Sequence, residues 1–318
     1  MAVETASPRI TDAVVLAAGY GERMRPLTLK VPKPAIHFLN RPAISHVLDN
    51  LAEYGVKRVL INTHHLPEKI VEAASPYLDR MEIIFSHEPE ILGTAGLFFN
   101  LKEKLRGPFF VLNGDIFLKP PLGRLQDRLF RGRADAVLLL KKKFPGRSYT
   151  PVKLETDGTV SSIGSGDHFF CGVYAARPSF IEPVTREKKE DLVPLLLKPA
   201  VSAGKAGGEA FEGSWHDLGS PNEFLDATRD CLGKMSDGSV LPPSHSRLIF
   251  SDSYTALVDQ STPLDRGVKL TGFVTVAESC SVGKGAVLEN SVLLPGTAVK
   301  EGAEIRNSIV SGNIVMTA

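Results

Sequence analysis

Cysteine is scarce. Cys171, Cys231 and Cys280 are the only three in 318 residues; they lie far apart and are odd in number. That excludes a disulfide scaffold and a cysteine-only zinc site, and it suits a reducing, cytoplasmic compartment. No His-x3-His or His/Cys spacing suggests zinc either. An excess of one charge is also lacking. Lys+Arg 37 against Asp+Glu 36 leaves a formal net charge of +1. This excludes the basic footprint of a general nucleic-acid binder and the acidic bias of a solvating tail. No apolar run approaches the roughly 18 residues of a membrane helix, so no membrane partner is expected. Met1 to Arg9 carries acid, Ser and Pro where a signal peptide would carry an apolar core. Apolar residues make up 43% and charged residues 23%, the mix of a soluble globular chain with a sizeable core.

Short apolar runs alternate with helical periodicity. Residues 10–17, 56–62, 81–85, 109–112 and 136–140 read as strands. Pro42 to Tyr54 reads as a helix, with Ile44, Val47, Leu48 and Leu51 on one face and Gly55 as its stop. Pro67 to Ala74 reads as another. The alternation predicts an α/β fold, a doubly wound, mostly parallel sheet, which takes ligands at the carboxyl ends of its strands. Residues 234–268 are rich in Ser, Asp and Pro and read as a linker. Leu270, Val276, Val282, Leu288 and Leu294 then recur every six residues, and Val299 and Ile305 continue after a one-residue slip. Hexapeptide periodicity predicts a short left-handed β-helix over 269–318, with 1–233 as the catalytic domain. The repeats hold fewer than three coils of about 18 residues and follow the last histidine, His245, which argues against an acyltransferase site. A lid, an effector-binding cap or a contact between copies in a homo-oligomer is expected instead, dispensable for chemistry but not for assembly or robustness.

Leu16-Ala17-Ala18-Gly19-Tyr20-Gly21 feeds a strand into a loop of small residues, which lets backbone N–H groups approach a polyphosphate. Arg23 and Lys33 add positive charge beside it. It is neither a Rossmann fingerprint nor a Walker loop, because the third Gly and the Gly-Lys-Ser/Thr are missing. The longer string Leu-x-x-Gly-x-Gly-x-Arg-Met-x-Pro-Leu-Thr, followed by Pro32-Lys33-Pro34, resembles the signature of the sugar-1-phosphate nucleotidyltransferases. Leu92-Gly93-Thr94-Ala95-Gly96 is similar to that family's base-binding loop. Asn113-Gly114-Asp115 and Trp215-His216-Asp217-Leu218-Gly219-Ser220-Pro221 are similar to its two metal-binding segments. The hexad tail is common in the branch that resembles mannose-1-phosphate guanylyltransferases.

The resemblance implies transfer of a nucleoside monophosphate from an NTP to a sugar-1-phosphate, releasing pyrophosphate. Arg23 and Lys33 would serve the triphosphate. Leu16, Ala17, Ala18, Gly19, Gly21, Glu88, Gly93, Thr94, Asn113 and Gly114 would bind the nucleotide, and Asp115 and Asp217 would hold Mg2+. Glu88 falls where thymine- and uracil-binding relatives often carry Gln. A carboxylate is an acceptor pair that fits the two adjacent donors of guanine, so GTP is expected; mannose-1-phosphate as acceptor is implied by the resemblance alone. On the sugar side, the lysine that relatives use is missing after Val160; Lys153 or Arg147 could replace it, with Gly172 and Trp215 nearby in the motif order. Trp215 is equally read as a core residue. A uridylyl- or thymidylyltransferase acting on another sugar phosphate, or a non-catalytic regulatory homologue, remain the alternatives.

Overall fold

The computed structural model describes residues 9–144 and 149–318. The chain gathers into two compact units: Met1–Gly19 with Val47–Gly114 and Leu118–Trp215, and Tyr20–His46 with Asp115–Phe117 and His216–Ala318. This partition interleaves along the chain, where a sequential split at 233 and 268 was expected. No helix among the described residues is long and apolar enough to cross a membrane.

In the first unit a mixed sheet holds β1 (Asp12–Leu16), β2 (Arg58–Thr63), β3 (Glu82–His87), β4 (Phe109–Asn113), β5 (Ala136–Lys142), β6 (Val152–Leu154), β7 (Val160–Ile163), β8 (His168–Ala176) and β9 (Ala206–Ala210). Its order is β7-β6-β8-β4-β1-β2-β3, with β5 pairing both β8 and β9. Strands β4, β1, β2 and β3 run parallel. Strand β8 runs antiparallel to β4 and β5. Strands β1, β2 and β4 are buried apolar runs, as two-sided coverage requires, whereas β3 at the edge is half-buried. Two strands start two residues later than the pattern suggests, each for a local reason. The N–H of Ile10 donates to Gln126 Oε1 at 2.8 Å instead of to a neighbouring strand. The N–H of Val56 donates to Leu51 O and helps close the helix α1 (Ala43–Tyr54). Gly55 follows that helix with φ at 100°, a left-handed stop that glycine takes without strain.

The second unit is built on α4 (Pro221–Ser236), a label that follows α2 (Pro67–Ala74) and α3 (Leu122–Arg131) of the first unit. Ser220 caps α4: its Oγ accepts from the Glu223 N–H and donates to Glu223 Oε2 at 2.9 Å. Beyond the helix comes a strand stack: β10 (Ser246–Ser251), β11 (Tyr254–Asp259), β12 (Lys269–Val276), β13 (Ser281–Val282), β14 (Val287–Leu293), β15 (Ala298–Val299), β16 (Glu304–Arg306), β17 (Ser308–Ser311) and β18 (Ile314–Thr317). The stretch read as a linker therefore carries two strands. Its Ala256, Leu257 and Val258 are fully buried, because β11 pairs in parallel with β12 and forms the first layer of the stack.

The hexads sit on top of one another. Leu270 pairs with Leu288 and Leu288 with Ile305, while Val282 pairs with Val299. Val258, Val276, Leu293 and Val310 form a second column. The one-residue slip lies earlier than the pattern placed it, at an irregularity between Thr271 and Val274. There Gly272 has φ at 68°, and Asn290 and Asn307 repeat the left-handed corner in the layers above. Asn290 Nδ2 donates to Asn307 Oδ1 at 3.1 Å, a ladder of the kind left-handed Asn residues can sustain.

Strands of the stack share one apolar cluster with the signature loop. Met24, Leu27, Ile36 and Phe38 pack with Phe224 and Leu232 of α4 and with Phe273, Val292, Leu294, Ile309 and Met316. The tail thus shares a core with the loop that carries Arg23 and Lys33, which argues against its being dispensable for chemistry. Truncation after Leu264 would remove five of these buried side chains, each worth roughly 1.5–3 kcal/mol. Their sum is on the scale of an entire domain's stability. Such a chain is expected to aggregate or unfold and to lose activity, as read by size-exclusion chromatography, circular dichroism and turnover. A monodisperse, active truncation product would overturn this.

Candidate active site

Four sequence-predicted residues meet in the second unit. Lys33 opens a short 3-10 turn between Pro32 and Pro34, and its side chain is 10% exposed. Its Nζ lies 2.6 Å from Asp115 Oδ2 and 3.3 Å from Asp217 Oδ1. Burial alone would push the lysine pKa down. The two carboxylates outweigh it, so the ammonium is held above its ordinary value. Arg23 stands beside the pair, with Nη2 at 3.3 Å from Asp217 Oδ2 and Nη1 at 3.3 Å from Glu223 Oε2. Its side chain is 62% exposed, and most of its five N–H groups remain open to solvent or ligand. Glu223 was not singled out from the sequence; the Ser-x-x-Glu spacing of a capping box, Ser220 to Glu223, is the signal that could have found it.

Two glycines of this unit have opposite reasons. Gly21 has φ at 63°, and a methyl there would lie 2.8 Å from Thr28 Cγ2; Thr28 in turn donates its hydroxyl to Gly21 O at 2.9 Å. Gly21 is glycine for the chain's own sake. A methyl on Gly219 would lie 2.2 Å from Arg23 Nη2 and 2.8 Å from Asp217 Oδ1. Gly219 leaves room for the arginine over the aspartate.

In the first unit the small-residue loop leaves β1 and the Leu92–Gly96 loop follows β3. Ala17 N donates to Asn62 Oδ1 at 2.8 Å, and Gly114 N donates to Leu16 O at 2.9 Å. Gly19 is exposed, and a methyl there would touch nothing within 4 Å. Glu88 is not a loop acid open to a base. It is 1% exposed, its Oε1 accepts from Asn62 Nδ2 and its Oε2 from Leu92 N, both at 2.8 Å. Both oxygens are engaged within the chain, so the expected bidentate grip on guanine is replaced by internal hydrogen bonds. Gly93 and Gly96 face backbone too: methyl groups there would lie 2.6 Å from Glu190 O and 2.0 Å from Lys188 O. Thr94 Oγ1 accepts from Leu192 N at 2.8 Å. The 188–192 segment, which carried no sequence signal, therefore clasps this loop.

The sugar-side candidates scatter. Lys153 is half exposed and paired with Glu155 at 3.0 Å. Gly172 has φ at 77° where β8 shifts register against β5, a bulge that accounts for the glycine. Trp215 is buried; its Nε1 donates to Cys171 O at 3.0 Å and its ring meets Phe169 edge-on at 4.8 Å. The core reading of this tryptophan is the one realised. Arg147 lies outside the described residues. Lys141 donates to Gly213 O at 2.8 Å and lies 5.5 Å from the Phe144 and Phe211 ring centres.

The donor set of Asp115 and Asp217 suits a hard divalent cation: two carboxylates, about a quarter exposed, already converge on one positive charge. A second candidate, His216 with Asp230 and Cys231, is less suited. Lys234 already pairs with Asp230, and burial pushes the Cys231 thiol up to about 12. Burial likewise pushes Cys171 up to about 12, so neither thiol is a ready nucleophile.

Lys33→Met would leave two facing carboxylates without their shared cation. It is expected to cost about 1–3 kcal/mol at neutral pH, less than a fully buried pair because the aspartates are partly solvated. Millimolar Mg2+ is expected to restore part of the loss by binding the native fold. Thermal melts with and without Mg2+ check this; a variant that melts like the wild type and ignores Mg2+ would refute it.

Comparison with known proteins gives the chain its family. Residues 12–234 match the nucleotidyl transferase family. The mannose-1-phosphate guanyltransferase of Candida albicans is 31% identical over 322 residues, covering 94% of this chain and 86% of the relative. That of Aspergillus fumigatus is 30% identical over 319 residues, covering 95% and 86%. Among solved structures, HddC from Yersinia pseudotuberculosis superimposes with a TM-score of 0.60 at 20% identity, covering 69% of this chain and 98% of that one. At that identity the likeness speaks for the fold alone. With the signature loop, the Lys33-bridged aspartates and a family match over most of its length, the chain belongs to the nucleotidyl transferase family.

Proposed function

We propose that this chain transfers GMP from GTP to mannose-1-phosphate, releasing pyrophosphate and forming GDP-mannose. The observation that carries the transferase reading is the convergence of Lys33, Asp115 and Asp217, with Arg23 alongside. Support for guanine and mannose comes from the relatives that share about 30% identity over nearly the whole chain. Glu88, with both oxygens engaged, adds none.

A phosphate monoester is already largely dianionic at neutral pH, its second pKa being near 6. No residue has to deprotonate the attacking oxygen, and none of Arg23, Lys33, Asp115 and Asp217 is needed as a nucleophile or its base. The work is to hold two polyanions in line and neutralise their charge. Asp115 and Asp217 would hold Mg2+, which when bound supplies charge neutralisation on phosphate oxygens. Lys33 fixes the two carboxylates in one place before any ligand arrives. Arg23, exposed but tethered at two points, presents its free N–H groups to phosphate oxygens. Gly19 supports the same reading: neither φ nor a neighbouring atom demands glycine there, so its bare backbone is best explained by a ligand's close approach. The presence of Arg23, Lys33, Asp115 and Asp217 together disfavours a non-catalytic regulatory homologue.

A pyrophosphate-release assay crossing GTP, UTP, dTTP, CTP and ATP with mannose-, glucose-, heptose- and amino-sugar-1-phosphates tests the assignment. GTP with mannose-1-phosphate is expected to give the highest kcat/KM, and EDTA to abolish it. Asp115→Asn is expected to lower kcat by roughly two orders of magnitude or more with the fold intact. Preference for UTP or dTTP would move the uridylyl- or thymidylyltransferase reading forward, and full activity in EDTA would remove the metal.

A further inference from the structure

We infer that Glu88 is a positioning residue that ties the polyphosphate loop to the base loop, and that it acts through Asn62 rather than by touching the nucleotide. The inference rests on the nucleotidyl-transfer reading of those two loops. Strands β1, β2 and β3 lie side by side in register, with Leu16 opposite Asn62 and Asn62 opposite Ser86. At their carboxyl ends the side chains continue what the backbones begin. Ala17 N donates to Asn62 Oδ1, Asn62 Nδ2 donates to Glu88 Oε1, and Leu92 N donates to Glu88 Oε2, each at 2.8 Å. One relay thus runs from the first residue beyond β1 to the first residue of the Leu92–Gly96 loop.

The chemistry of the relay selects glutamate. Two N–H donors face the side chain at 88, so it must offer two acceptors. Glutamine offers one acceptor and one donor, and either orientation sets a donor against a donor. Asn62 has its orientation dictated from both ends: its oxygen must face the Ala17 N–H and its nitrogen the carboxylate. Glu88 is 1% exposed, and its two oxygens meet the Asn62 and Leu92 N–H groups rather than a cation. A carboxylate buried without a cation is costly unless every oxygen is satisfied, and here each is. Both loops carry backbone N–H groups proposed to meet the nucleotide, so a slack relay would loosen both at once. The base edge is not read by Glu88, and its loss would weaken every nucleotide alike.

The decisive experiment is a swap. Glu88→Gln is expected to raise KM for GTP and for UTP by the same factor, about 10- to 100-fold, through one broken charge-assisted bond. The GTP:UTP ratio of kcat/KM would stay as in the wild type, whichever nucleotide the wild type prefers. Asn62→Asp alone would set two carboxylates together and fall at least as far. The double variant Asn62→Asp with Glu88→Gln restores all three hydrogen bonds with the charge moved one side chain over. It is expected to return KM to within a few-fold of the wild type. Hydrogen exchange at the Ala17 and Leu92 amides gives a second readout: fast in the single variants, protected in the double. If Glu88→Gln alone fails to fold, the double variant still decides, because only a relay predicts that it folds with both amides protected. A changed base preference in Glu88→Gln, a silent Glu88→Gln, or a double variant no better than the worse single one would each overturn the proposal. Absence of GTP turnover in the wild type would instead count against the guanylyltransferase reading, since the relay predicts equal losses for any accepted nucleotide.

Discussion

Lys33 holds together three pieces of chain that lie far apart in sequence. Its ammonium is the point where residue 33, residue 115 and residue 217 meet. Without that charge, Asp115 and Asp217 would repel each other at a place only partly screened by solvent. The lysine pays for its own burial through the same two contacts, which raise its pKa despite desolvation. The sign matters for pH. A raised folded-state pKa means that the pairing stabilises fully below the ordinary lysine range, near 10.4, and is lost only as pH rises through the elevated value. Over neutral conditions Lys33 therefore keeps its charge and goes on bridging the two aspartates.

The triad needs a floor, and the strand stack provides part of it. Met24 lies next to Arg23 in sequence, and Ala35 and Ile36 follow Lys33 closely. Met24 and Ile36 are buried in the cluster that contains Val292, Leu294 and Ile309. In a close-packed core such neighbours transmit position, since a side chain cannot shift without displacing those it touches. The C-terminal repeats thus act on the cationic loop through ordinary packing. Cys231 and Leu232 of α4 join the same cluster, and Glu223, one of Arg23's two anchors, stands at that helix's first turn.

The parallel strands and the helix α1 were legible because burial on both faces leaves uninterrupted apolar runs, and an amphipathic helix leaves a 3.6-residue stripe. Ile44, Val47, Leu48 and Leu51 are all buried as that stripe requires. Strand β8 escaped because Gly172 and a register shift interrupt its apolar run, β6 and β7 because they are only three and four residues long, and β9 because Gly207 and Gly208 dilute its apolar pattern. The hexads were visible, but the layer beneath them was not. Tyr254–Asp259 has the apolar centre of a strand inside a polar stretch, and composition averaged over 234–268 hides it. Of the candidate site, Arg23, Lys33, Asp115 and Asp217 were readable from their motifs, whereas Asn62 and the 188–192 segment were not. Asn62 is one polar residue next to Thr63 at the end of a strand with an apolar centre, and a segment that uses mainly its backbone leaves almost no side-chain signature.

The glycines show why a motif can be right in name and wrong in reason. Gly19, Gly21, Gly93, Gly96 and Gly219 all belong to stretches that resemble nucleotide- or metal-binding signatures. Three of them are glycine because the folded chain leaves no alternative. Gly21 sits at positive φ against Thr28, and Gly93 and Gly96 meet the backbone of residues 188–190. Those three report on how the loops are held. Gly219 makes room for a side chain of the site itself, and Gly19 faces open space without backbone strain. A substitution at Gly21, Gly93 or Gly96 would therefore register first in stability, and one at Gly19 first in ligand binding. At Gly219 the clash is with the far end of a flexible arginine, so the fold can absorb it while Arg23 loses its seat over Asp217. A glycine-rich signature is in this sense a superposition of two constraints, and only the neighbours of each missing Cβ separate the part that serves the fold from the part that serves the ligand.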